Sequence, residues 1–190
     1  MSEQIIFLTH GDVEIDPEVP VPQWGLNAKG HARHAAFAAD PAVAGVTSIF
    51  ASDEQKAKDA AEPVCDTLGL PMTIRPAVGE NDRSATGFLP PDEFWPTVKA
   101  FFAEPETSVQ GWERACDAQA HIVGAVDDAS KEAPDGDVLV VAHGGVGTLL
   151  RCQIAGMPIT QDQGQSHPKG GCYFTFDRRT AGNLTDWIAI

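Results

Sequence analysis

The stretch Val138–Leu150, VLVVAHGGVGTLL, decides the fold. Its first five residues, Val138–Ala142, are wholly apolar. A strand wet on one face alternates apolar with polar residues. This one does not, so both its faces are buried, as at the centre of a parallel sheet with helices on two sides. His143 ends the strand, and Gly144 and Gly145 allow a tight turn without a Cβ clash. Val146–Ile154 then reads as a helix.

The same pattern recurs outward from this unit. Ile5–Thr9 is an apolar strand that runs into His10-Gly11, and the Asp-, Glu- and Pro-rich segment from Gly11 to Pro22 is a loop. Ala28–Ala39 is Ala-rich and helical. Val46–Ala51 is a second strand, and Ser52-Asp53 suit the N-cap of a helix from Glu54 to about Leu68, which Gly69 ends. PMTIRP is a short third strand. Gly79–Pro91 is a long loop of the kind that carries function. Helices are predicted over Asp92 to about Ala103 and Trp112 to about Glu132, and late strands over Cys172–Phe176 and Leu184–Ile190, at a sheet edge. The alternation predicts a three-layer α/β/α fold with a mostly parallel central sheet, as one domain over residues 1–190. Ligands bind beyond the carboxyl ends of such strands. THG, ASDEQK and AHGG meet there.

Composition bounds the function. Hydrophobic residues make up 43% and charged residues 21% of the 190, the profile of an ordinary globular protein. The net charge of -14 leaves no basic footprint for nucleic acid. No apolar run approaches the ~18–20 residues of a membrane span. MSEQIIFLTH has neither a basic n-region nor a small-residue cleavage site, which predicts a cytoplasmic protein. Cys65, Cys116, Cys152 and Cys172 are scattered and read as buried thiols, with no zinc knuckle or disulfide framework. His31 and His34 share a helix face and read as solvated, since no third metal ligand is near. HGGVGTLL is not a G-x-G-x-x-G and holds no Gly-Lys-Ser/Thr, which argues against a nucleotide loop.

The two strand-end pairs, His10-Gly11 and His143-Gly144, carry the main functional signal. On adjacent strands their imidazoles would face each other across one pocket. With them, the chain resembles the histidine phosphatase superfamily, the phosphoglycerate mutase-like proteins. FLTHGDVEID is similar to the family's strand-Arg-His-Gly motif, and WGLNAKGHARHAAFAAD to its first helix. FASDEQKAKDAAEPV resembles its Ser-Ser-Pro-x-x-Arg-Ala segment, Glu80 in VGENDRSATG stands where the family carries an acid, and VLVVAHGGVGTLL resembles the second histidine motif.

The resemblance implies roles. His10 would attack phosphorus and form a phosphohistidine, its other ring nitrogen donating to a backbone carbonyl around Gly11. Glu80 would be the general acid and base, its pKa raised by burial or like charge, with Asp82 as a rival. His143 and the Gly144-Gly145 turn would hold the phosphoryl oxygens. No metal and no cofactor are implied. Two departures stand out: Thr9 replaces the arginine before the first histidine, and Lys56 stands at the second arginine. Arg83, or less readily Arg33, would supply the missing cation.

The expected activity is therefore hydrolysis of a small phosphorylated substrate. The alternatives are a degenerate member that binds an anionic ligand without turnover, and a phosphomutase. Homodimerisation through a sheet edge is left open.

Overall fold

The computed structural model describes residues 3–190. Its sheet contains β1 (Gln4–Thr9), β2 (Val46–Ala51), β3 (Met72–Ile74), β4 (Asp137–Ala142), β5 (Cys172–Asp177) and β6 (Ile188–Ala189), in the order β3-β2-β4-β1-β5-β6. The first four strands in that order pair in parallel, and β5 pairs antiparallel with both β1 and β6. The helices are α1 (Ala28–Phe37), α2 (Gln55–Leu68), α3 (Pro91–Ala103), α4 (Ala115–Glu132) and α5 (Gly144–Ile154).

Two hydrophobic layers flank the sheet, and the two-residue period of β1 and β4 sorts their side chains between them. Ile5, Phe7, Val138, Val140 and Ala142 pack with Ile122 and Val126 of α4 and with Val146 and Leu150 of α5. Ile6, Leu8, Leu139 and Val141 pack on the opposite face with Phe37 of α1 and with Ala57, Ala60, Ala61 and Val64 of α2. The run of small residues in α2 lets it lie close to the sheet. Phe7 is fully buried and stacks on Phe174 at 5.2 Å, so truncation to alanine would cost about 3–5 kcal/mol. Phe101, Phe102 and Val98 of α3 join Trp112 and Leu149 in a third cluster outside the α4–α5 layer.

Several element boundaries differ from expectation. The last strand shrinks to Ile188–Ala189, because Thr185 bonds Thr175 outside a regular ladder. The fourth helix starts at Ala115, since Trp112 belongs to a turn with Val109. Cys152 and Cys172 are buried, but Cys65 and Cys116 are only half-buried. His34 is fully enclosed rather than solvated, with neither ring nitrogen hydrogen-bonded among the described residues, while its neighbour His31 is exposed.

Candidate active site

β1 and β4 are adjacent and parallel, with Thr9 opposite Ala142, so both strands end at one level. His10 and His143 therefore emerge side by side. Their ring centroids are 5.2 Å apart at an interplanar angle of 67°.

The main chain clamps His10 at both ends. Its N–H donates to the Ala142 carbonyl at 3.2 Å, and its carbonyl accepts from the Gly171 N–H at 2.7 Å. The close approach explains Gly170, where a Cβ would sit 2.3 Å from the His10 carbonyl oxygen. The His10 Nδ1 lies 3.0 Å from the Gly11 carbonyl oxygen. A carbonyl only accepts, so Nδ1 carries the proton and Nε2 keeps a free lone pair. Burial, reinforced by His143 and Lys56, pushes the His10 pKa down to about 3.

His143 is almost completely buried. Its Nε2 lies 2.9 Å from the Ser52 hydroxyl and 3.5 Å from Oε1 of Glu54, and its Nδ1 has no partner among the described residues. Burial lowers its pKa, against the opposing pull of Glu54 and Glu80. Ser52 also accepts the Glu54 N–H at 3.2 Å. Glu54, not Ser52 or Asp53, is the N-cap of α2, and its side chain makes no capping bond. It turns into the site instead.

Lys56 sits on the first turn of α2, which brings it to the same end of the sheet. Its ammonium group is buried, pairs with Oε2 of Glu54, and donates to the Val21 carbonyl at 2.8 Å. Burial pushes the Glu54 pKa up, but His143 and Lys56 override it and hold the carboxyl well below the usual range.

Glu80 departs from the expectation of a raised pKa. Its carboxylate accepts the N–H groups of Gly145 at 3.0 Å and Val146 at 2.9 Å, and lies 3.3 Å from Arg83. It thus neutralises the exposed amides at the start of α5. Burial pushes its pKa up, but Arg83, His143 and the Gly145 amide more than compensate and lower it. Glu80 is therefore ionised at neutral pH. The Gly145 N–H, expected to face phosphoryl oxygens, is occupied by this carboxylate.

Arg83 is committed to Glu80 rather than standing free as a replacement cation. Its Nε donates to Asn81 Oδ1 at 3.0 Å, and its guanidinium lies over the Trp112 and Phe94 rings. Asp82 is turned away, accepting from the Ser84 N–H. Arg33 binds Asp12, the Gly171 carbonyl and the Ile190 carbonyl, so it ties the first loop to the chain's last residues. Thr9 is fully buried and engages Cys172 and Gln165. The structure thus gathers His10, His143, Lys56, Glu80 and Arg83 at one end of the sheet.

Sequence reasoning missed Ser52, Glu54 and Gln165. Glu54 had one signal: an acidic residue two positions before the lysine of a strand-end motif. Gln165 bonds Thr9 at 2.8 Å and reaches over Gly144, where a Cβ would lie 2.5 Å from its Nε2. Only the return of the chain to this point reveals it.

Solved structures share this architecture. The mycobacterial glucosyl-3-phosphoglycerate phosphatase superposes with a TM-score of 0.81 at 18% identity, covering 99% of each chain. Its complex with VO3 gives 0.80 at 20% identity over 100% of each chain. Bacillus stearothermophilus YhfR gives 0.78 at 20% identity, over 97% of this chain and 95% of that one. At these identities the likeness concerns the fold. No curated protein matches the sequence. A family model, by contrast, matches residues 5–182, a span that includes both strand-end histidines and everything between them. The chain belongs to the histidine phosphatase superfamily, branch 1.

Proposed function

We propose that this protein hydrolyses a small phosphoric monoester through a phosphohistidine on His10. One observation carries the reading: the Gly11 carbonyl fixes the Nδ1–H tautomer at 3.0 Å, leaving a neutral Nε2 beside His143. Neutral imidazole is a competent nucleophile. The His10 Nε2 lone pair attacks phosphorus while the ester P–O bond breaks, giving an alcohol and the phosphoenzyme. Water then attacks phosphorus, the P–N bond breaks, and inorganic phosphate leaves with the imidazole restored.

Glu80 is ionised in this arrangement, so its fitted role is to take the proton of the attacking water. In the first step a phosphoryl monoanion brings its own proton to the leaving oxygen. His143 and the Lys56 ammonium border the phosphoryl position, and the scheme needs neither metal nor cofactor. The substrate class has support from the glucosyl-3-phosphoglycerate phosphatase fold neighbour and from the complex of that protein with VO3.

A second reading is retention of an anion without turnover. It is favoured by Glu54, which holds both Lys56 and His143 and leaves the pocket without free positive charge.

The test is incubation with a small phosphomonoester, a quench at alkaline pH, and intact-mass analysis. An adduct of one phosphoryl group is expected in the wild type and none in His10→Ala. Unchanged turnover in His10→Ala would falsify the nucleophile assignment.

A further inference from the structure

Glu54 lies at the centre of the site, although nothing in the proposed chemistry uses it. Its Oε1 is 3.5 Å from His143 Nε2 and its Oε2 pairs with Lys56. The two side chains placed to grip a phosphoryl oxygen therefore both face the same internal carboxylate. Its field also reaches His10 and Glu80. The groups around it are His10 at the end of β1, His143 at the end of β4, Ser52 after β2, Lys56 on α2, and Glu80 with Arg83 from the 79–90 loop. The charged members are two carboxylates, Glu54 and Glu80, and two cations, Lys56 and Arg83, each cation committed to one carboxylate. A phosphoryl dianion entering between His10 and His143 meets no uncompensated positive charge among the described residues, because the cation on that side, Lys56, is already paired with Glu54.

We propose that Glu54 is a specificity-determining residue that acts as a built-in anion, occupying the cationic side of the phosphoryl pocket and selecting the monoanionic over the dianionic form of the ligand. The proposal rests on the phosphoryl-site reading above and deepens it. A like charge juxtaposed in a partly desolvated site is unfavourable, and the cost grows with each negative charge on the ligand. The monoanion also carries the proton that the leaving oxygen needs. His10, with its pKa pushed down to about 3, stays neutral as pH rises through the second ionisation of phosphate, and burial depresses His143 in the same direction, so the change in ligand preference over that range is assigned to the phosphoryl group.

The experiment measures binding of inorganic phosphate by calorimetry, at one pH below its second ionisation and one above. Wild type should bind more tightly at the lower pH. Glu54→Gln keeps the size of the side chain and removes its charge. It should tighten binding at the higher pH by roughly tenfold or more and remove most of the preference for low pH. Glu54→Asp keeps the charge but withdraws it by one methylene, and should tighten phosphate binding by a smaller factor. It is the deciding variant if loss of the partner of Lys56 prevents Glu54→Gln from folding. Unchanged affinity at the higher pH in whichever variant folds overturns the assignment. Turnover of p-nitrophenyl phosphate is followed in the same proteins with and without His10→Ala. Tighter binding with no His10-dependent turnover leaves the Glu54 assignment standing and removes the hydrolase reading. His10-dependent turnover without tighter binding does the reverse.

Discussion

The hydroxyl of Thr9 completes the sheet against Cys172. Its Oγ1 accepts the Cys172 N–H at 3.1 Å, and its proton faces the Cys172 carbonyl at 3.1 Å and the Gln165 side-chain oxygen at 2.8 Å. β1 and β5 are in register up to Leu8 opposite Tyr173. One residue further, a side chain takes over the ladder's hydrogen bonding. Thr9 thus has a structural role.

That relationship predicts the cost of removing the hydroxyl. Thr9→Val keeps the shape but leaves the Cys172 N–H without its partner in a fully buried place. The expected loss is about 1–3 kcal/mol of stability. It is read from the denaturant midpoint at constant slope. Stability equal to wild type would show that the contact contributes nothing.

His34 predicts a pH-dependent weakness. Burial, then Arg33 and His31, push its pKa down to about 4. As pH falls from the ordinary histidine value of 6.5 towards about 4, the unfolded chain gains a proton here that the folded chain refuses. Unfolding is then favoured by acid, and stability rises with pH through this window. His34→Leu removes the refused proton. Near pH 5 it should be more stable than wild type by roughly 1–2 kcal/mol, with a smaller difference near pH 7.5. His10 and His143, depressed in the same direction, and the depressed carboxylates Glu54 and Glu80 add to the remaining acid slope. Denaturant unfolding at the two pH values checks this, and parallel losses in both proteins would rule it out.

Gly145 predicts the importance of the Glu80 cap. A Cβ there would lie 2.5 Å and 2.9 Å from the two Glu80 carboxylate oxygens. Gly145→Ala must push the carboxylate off the Gly145 and Val146 amides. Turnover should fall by about 10²-fold or more with only modest loss of stability, as expected when a group is displaced from its working position. Steady-state kinetics beside a thermal melt separates the two. Full activity in Gly145→Ala would mean that Glu80 works from elsewhere.

The depressed His10 pKa predicts the acid limb of the first chemical step. The attacking form is neutral imidazole, and with a pKa of about 3 it remains neutral down to mildly acid pH. The rate of phosphoenzyme formation in a single turnover should not fall as pH drops from 7 to about 5. A fall centred near 6.5 would show that the His10 pKa is not depressed in the protein.

The strand order was not written in the sequence, but the strands themselves were. Val138–Ala142 and Ile5–Leu8 are unbroken apolar runs, which only a doubly covered strand accommodates. Small residues in α2 and the glycine pairs after both histidines likewise follow from local chemistry. The 79–90 loop and its Glu80 were legible from length and composition as a candidate part of the site. What Glu80 does there was not legible, because its pKa depends on the N–H groups of Gly145 and Val146, 65 and 66 residues away.

By itself, the sequence determined the layered α/β architecture and the histidine at the end of each of two strands, because period, turn chemistry and strand ends are local properties of the chain. The tertiary structure alone decided the electrostatics. His34 lost its solvent, Arg83 was bound to Glu80, and Glu54 turned from a helix start into a partner of both Lys56 and His143. Charge–charge energies depend on distance and burial, and those are set only when distant segments close on one another.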